Sequence, residues 1–340
     1  MSELSDVSAE EQGADIVADG APEPKVEPAS APAPVAERKP RRLNITGRRN
    51  LFFALSLIVI VPGIVSMATK HFALGIDFAG GTELTVAFAN HPTLAQVQGA
   101  VDAEGVNGSV ISTGGDGYII RYPPLTASQV TGIQTDLKNR LGPTNVQQIL
   151  VVGGTIAGET IALSALAVVV ASLAILMLLA IRFRNVPGGW RAGFQFGGSA
   201  LAALLHDVFI LTGIFSIMGA WLHWRIGEID AFFVTAVLTV VGFSVHDTIV
   251  VFDRIRENLR VSQRLSFEQV VNLSIMQTAA RSIITSFTVV LVLAGILIAG
   301  GSTLQGLALA LLIGIVSGTY SSIFNAAPLL VVWRRLQPLR

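Results

Sequence analysis

Chemistry in this chain has few places to reside. Five ionisable residues fall within or at the edge of long apolar runs: His206 and Asp207, His246 and Asp247, and Arg281. An ionisable group at the centre of a bilayer costs about 2.5–3.5 kcal/mol on insertion scales, so each needs a partner, water or a function. Asp247 lies five residues before Phe252, about 8 Å from that end of its run at helical rise. Arg281 enters the next run from the same side, so depth alone places the two at a comparable level. A guanidinium beside a carboxylate in low dielectric pairs with it, and its distance sets the carboxylate's proton affinity. Two readings follow: a cation-coupled switch, or a static pair that holds the bundle together. Adjacent residues point about 100° apart on a helix, so neither His206 with Asp207 nor His246 with Asp247 shares one narrow pathway. For His206 the residue chemistry favours an interhelical hydrogen bond; for His246 the bond and a proton-pathway role stand level. No H-x-x-x-H or H-E-x-x-H spacing occurs among the five histidines, so no metal site is expected.

The elements that must position these groups follow from composition. The chain has 340 residues, of which 51% are hydrophobic and 14% charged, with a formal net charge of zero and no cysteine. That charge content is far below the ~25% of soluble domains. It excludes a basic nucleic-acid binder. Absence of cysteine excludes disulfide scaffolds, Cys-based zinc sites, iron–sulfur clusters and thiol nucleophiles. The apolar residues fall into six runs: 51–69, 161–181, 196–218, 231–252, 282–299 and 307–333. Each approaches the roughly 20 residues that cross a bilayer. The first is too long, and too far from residue 1, for a cleaved signal core. Arg38, Lys39, Arg41, Arg42, Arg48 and Arg49 precede the first run, Arg182, Arg184 and Arg191 follow the second, and Arg254, Arg256, Arg260 and Arg264 follow the fourth. The positive-inside rule places both termini in the cytoplasm.

Residues 1–40 are rich in Ala, Pro, Glu and Asp and read as a disordered cytoplasmic tail. Residues 70–159 form one long external segment. Alternation marks strands at 81–88, 109–112, 118–122 and 146–152, and helical periodicity marks 93–103 and 127–141. The order β-α-β-β-α-β is that of a ferredoxin-like unit, with a turn at Gly114–Gly117. The connection 253–281 carries Phe267, Val270, Val271 and Leu273 and reads as an amphipathic helix at the cytoplasmic surface. Gly314 and Gly318 form a G-x-x-x-G pair, and Gly242 is a further packing glycine. No G-x-G-x-x-G, G-x-S-x-G or P-loop is present, so no enzyme site and no cofactor is expected. Composition and spacing reach a proton- or ion-coupled membrane protein with an external domain, and stop there.

Longer motifs carry a resemblance. Gly75-Ile76-Asp77-Phe78-Ala79-Gly80-Gly81-Thr82, Leu205-His206-Asp207-Val208, the run from Gly242 to Asn258, Gln277 to Ser286, and Ile313 to Phe324 resemble the ordered motifs of the SecD/SecF family of bacterial protein-export membrane proteins. That family is similar to the RND transporters. The resemblance implies a six-span inner-membrane subunit of the Sec machinery, paired with a six-span partner, SecD, beside the SecYEG channel and YidC. It implies use of the proton motive force to pull preprotein outward at a late stage of export. It places Asp247 and Arg281 in the proton pathway, with a second acidic group from SecD. The family commonly has Asn where this chain has His246, which adds an ionisable side chain beside Asp247. A small-molecule efflux subunit of the RND type is the alternative; one external domain of this size is small for it.

Overall fold

The computed structural model describes residues 43–114, 117–261, 264–299 and 301–338. The tail 1–40 and the middle of the turn at 114–117 lie outside the described residues. Among the described residues, six helices are long and apolar enough to cross a membrane. They are α1 (Arg49–Lys70), α5 (Gly154–Arg182), α6 (Gly189–Ser216), α7 (Ala231–Val261), α8 (Phe267–Ala299) and a sixth made of α9 (Ser302–Ser321) and α10 (Ala327–Leu336). A π-helical segment, Ser322–Ala326, joins α9 to α10. A second one, Ile217–Trp221, ends α6. The third, fourth and sixth spans are the most buried and form the centre of the bundle; α1, α5 and α8 are peripheral.

Between α1 and α5 the chain forms a short turn of helix α2 (Ile76–Ala79), then β1 (Gly81–Phe88), α3 (Leu94–Asp102), β2 (Ser109–Gly114), β3 (Gly117–Tyr122), α4 (Ala127–Leu141) and β4 (Thr144–Val152). The sheet order is β2-β3-β1-β4 with every pair antiparallel, the ferredoxin-like topology. Alternation along β1 sends Leu84, Val86 and Phe88 to the helix side, where they meet Val97 and Val101 of α3 and Val130, Ile133 and Leu137 of α4. Both helices open with a capping box, Thr93 with Gln96 and Thr126 with Gln129. Each box satisfies two otherwise orphaned amide groups and so sets where the helix starts.

Two boundaries differ from the sequence reading. Among its described residues the connection 253–281 contains no separate surface helix: α7 runs on to Val261, and α8 begins at Phe267. Phe267, Val270, Val271 and Leu273 are instead the first turns of the fifth span, with Val270 and Val271 buried in the bundle. Their apolar stripe is the inner face of a long helix that continues past the apolar run. In addition, α5 begins at Gly154, directly after β4, because polar Thr155, Glu159 and Thr160 conceal its first turns in the sequence. Close approach of backbones replaces side-chain packing where α1 crosses α6: a Cβ added at Gly63 would lie 2.7 Å from the Cα of Gly213.

Candidate functional site

Asp207 sits at the centre of the bundle and is 1% exposed. Its Oδ1 accepts from Ser317 Oγ at 2.7 Å and faces His206 Nδ1 at 3.0 Å. Its Oδ2 accepts from Ser244 Oγ at 2.7 Å and Ser321 Oγ at 2.6 Å. Three spans thus converge on one carboxylate. Ser317 and Ser321 are four apart on α9 and so share a face. The π segment continues this line: Asn325 Nδ2 lies 2.9 Å from His206 Nε2 and donates to Ser56 Oγ of α1 at 3.0 Å. Tyr320 stacks near the imidazole at 6.2 Å, and its hydroxyl donates to the Phe52 carbonyl at 2.9 Å. His206 therefore makes the interhelical bond that its residue chemistry favours.

Asp247 is also buried, at 2% exposure, but its surroundings differ. Its Oδ2 accepts only two long bonds, from Ser286 Oγ of α8 at 3.4 Å and Thr319 Oγ1 of α9 at 3.5 Å. Those two hydroxyls bond each other at 2.5 Å. The expected Asp247–Arg281 pair is absent among the described residues. Arg281 is exposed and lines an open groove with Asp253, Arg254, Arg256, Glu257 and Arg260. It lies five residues before Ser286, about 7 Å along the helix. It also points to a different side of α8, since Ser282 and Ser286 take the inward face. His246 is exposed on α7, in a stripe with Thr235, Thr239 and Gly242. Gly314 and Gly318 pack as expected: a Cβ at Gly314 would meet Val240 at 2.1 Å, and one at Gly318 would meet Ser244 at 3.0 Å. Gly242 does not pack within this chain; nothing lies within 4 Å of its Cβ position.

The segment after α1 ties the α/β domain to α7. Asp77 Oδ2 accepts from the Ala231 amide at 3.0 Å, and Asp230 Oδ1 accepts from the Phe233 amide at 2.8 Å. Two carboxylates thus sit at the positive end of the helix that carries Asp247. Phe78 is buried against the bundle core. Gly80 and Gly81 have φ of +71° and +127°, and a Cβ at Gly81 would lie 2.5 Å from the Tyr122 carbonyl, so both positions require glycine. Leu74 and Ile229 form a parallel bridge. From the uncovered face of the sheet, Arg121 makes a two-pronged bond to Glu228 at 2.8 and 2.7 Å and donates to Glu83 at 2.7 Å. Burial alone would lower the Arg121 pKa, but the bonds to Glu228 and Glu83 outweigh it and hold it above the usual guanidinium value. Arg225, 3.9 Å from Glu83, is lowered by burial and by the charge of Arg121. Asp230 is raised by burial, reinforced by the charges of Asp77 and Glu228. Among the described residues, no cluster of three or more His, Asp or Glu side chains is placed to hold a metal ion.

Sequence reasoning placed Asp207 and Asp247 inside the bundle but missed Ser244, Ser317, Asn325 and Ser56. The four-residue spacing of Ser317, Ser321 and Asn325 was the available signal. It also missed Arg121 and Glu228, whose contact joins segments far apart in the chain.

These features define a polytopic membrane protein that buries two carboxylates in its bundle and carries one α/β domain beside it. Residues 133–336 match the family described as protein export membrane protein SecD/SecF, C-terminal, and residues 65–90 match the SecD/SecF GG motif. The protein translocase subunit SecF of Thermobaculum terrenum is 42% identical over 88% of this chain and 96% of its own length. That of Anaerolinea thermophila is 40% identical over 86% and 94%. The crystal structure of SecDF, a translocon-associated membrane protein from Thermus thermophilus, superposes with a TM-score of 0.76 at 30% identity, covering 86% of this chain. This chain spans 39% of that one. The chain belongs to the SecD/SecF family and is a protein-export subunit of the membrane; small-molecule efflux is not favoured.

Proposed function

We propose that this chain couples proton movement to late-stage preprotein export, as a non-enzymatic subunit working with SecD beside SecYEG and YidC. Asp247 is the group whose proton occupancy changes. The observation that carries this is the contrast between the two carboxylates. Asp207 accepts from three hydroxyls at 2.6–2.7 Å and faces the His206 imidazole at 3.0 Å, whereas Asp247 accepts from two hydroxyls at 3.4 and 3.5 Å. A buried carboxylate without strong donors can exchange a proton without dismantling a network. The exposed polar stripe on α7, Thr235, Thr239 and His246, suits a protein neighbour better than lipid tails, since unsatisfied polar groups are costly in hydrocarbon. That face is where SecD packs, and Arg281 reaches an acidic group of SecD from the adjoining groove. Arg182, Arg184, Arg254, Arg256, Arg334 and Arg335 gather on the side away from the α/β domain, and the positive-inside rule supports reading that side as cytoplasmic. Movement of α7 reaches the α/β domain through Asp77 and the Glu228–Arg121 bond. The test is preprotein release in vesicles or spheroplasts. Asp247→Asn abolishes the proton-motive-force-dependent step while leaving insertion and SecD binding intact; undiminished release by that variant refutes the assignment.

A further inference from the structure

The imidazole of His206 has no part in the coupling described above, yet it is the one group in contact with Asp207 that can carry positive charge. Asp207 accepts from three hydroxyls and faces Nδ1 of His206, and no Lys or Arg pairs with it among the described residues. We propose that His206 is a second proton-binding site, separate from Asp247, held by Asp207 and read by Asn325 on behalf of the first span. The proposal rests on the proton-coupled reading but concerns a different pair of residues on a different helix.

The arrangement assigns the unloaded state. Asn325 Nδ2 donates to Nε2, so the ring carries its proton on Nδ1 and donates it to Asp207. Loading transfers one proton from a hydronium ion to the Nε2 lone pair. One O–H bond breaks as one N–H bond forms, a water molecule is left behind, and the new imidazolium cancels the charge of Asp207. The new Nε2–H then needs an acceptor where an amide N–H now stands. A half-turn of the Asn325 side-chain amide supplies its Oδ1. Ser56 Oγ can follow that turn, because it lies within reach of both amide atoms, 3.0 Å from Nδ2 and 3.4 Å from Oδ1. A hydroxyl both donates and accepts, so the polarity of the α1 contact reverses while the contact persists. The π segment supports this reading. It carries Asn325, whose four-residue spacing from Ser321 keeps it on the face of Ser317 and Ser321, and such segments recur at functional sites. The titratable groups facing the ring are Asp207 on its own helix and Tyr320 on α9; α1 presents Ser56. On α7, Ser244 reaches Asp207, while Asp247, less than one turn further on, bonds Ser286 and Thr319.

The test is 15N NMR of the histidine rings in the full-length chain in lipid bilayers. The chain has only five histidines, and His206→Gln assigns the signal of interest. The expected result is an Nδ1–H neutral ring at alkaline pH that becomes doubly protonated on acidification across the range in which the chain stays folded. Asn325→Asp, which supplies a permanent acceptor for Nε2–H, raises the proton affinity about tenfold or more, as a neighbouring carboxylate does. A ring that stays neutral across the range, an Nε2–H tautomer at alkaline pH, or a midpoint unmoved by Asn325→Asp overturns the proposal. Should His206→Gln fail to fold, the Asn325→Asp shift still identifies and tests the same resonance. Asp247→Asn leaves this titration in place, so failure of the export reading and failure of this one are separately visible.

Discussion

Replacing Ser321 with alanine tests whether Asp207 is the hub that organises the bundle. Ser321 Oγ lies 2.6 Å from Asp207 Oδ2 and is fully buried. A hydrogen bond to a charged group contributes about 1.5–3 kcal/mol. The matched control is Ser286→Ala. That hydroxyl is also buried, but it is 3.4 Å from Asp247 and makes its short bond to the neutral Thr319 hydroxyl. Neutral interhelical bonds in membranes average about 0.6 kcal/mol. The two variants delete the same atom from the same residue type, so the loss of packing is matched. The structure therefore predicts that Ser321→Ala is the more destabilising, by about 1–2 kcal/mol, equivalent to a factor of about 5–30 in the folded-to-unfolded ratio. Reversible unfolding of the two variants in bicelles reads this directly. Equal losses, or a larger loss in Ser286→Ala, would refute the distinction between a strongly held Asp207 and a weakly held Asp247.

Three further perturbations follow from the geometry. Gly314→Leu drives a side chain into Val240 and should lower stability of the isolated chain, whereas Gly242→Leu, with open space around it, should leave the isolated chain unchanged and weaken only its association with SecD, as read by melting and copurification. Arg121→Ala leaves Glu228 without its half-buried cation and Glu83 with only the longer contact to Arg225; a loss of about 1–3 kcal/mol, between the exposed and buried limits, should appear as faster proteolysis of the α/β domain with the bundle intact. Asp230 has a raised pKa in the folded protein, so it binds its proton more readily there than in the unfolded chain. Its contribution is complete below the ordinary aspartate value and is lost as pH rises through the raised one. Asp230→Asn, which keeps a side-chain oxygen for the cap, should melt higher than the parent at neutral pH, with the difference vanishing in acid.

The α/β domain was legible because its signals are local. Strand alternation in β1 and helical periodicity in α3 and α4 each specify structure within a few residues, and the observed bounds of β1 and α4 are those expected. The six spans were legible from apolar length. The site was only half legible. Depth along a helix follows from counting residues, which placed both carboxylates within the bundle. Rotation about the helix axis does not, and it decided against the Asp247–Arg281 pair: Ser282 and Ser286 take the inner face of α8, which turns Arg281 outward. The hydroxyls around Asp207 come from two other spans, and the four-residue spacing of Ser317, Ser321 and Asn325 marks a shared face without saying what that face meets. Arg121 and Glu228 are 107 residues apart and meet only once the domain has folded against the loop before α7.

The most direct measurement is proton flux into liposomes holding this chain with its six-span partner, driven by an imposed pH gradient and compared between the parent and Asp247→Asn. The account predicts flux in the parent and none in the variant, with Ser286→Ala and Thr319→Val still conducting because their bonds to the carboxylate are weak. Equal flux in parent and Asp247→Asn would contradict it.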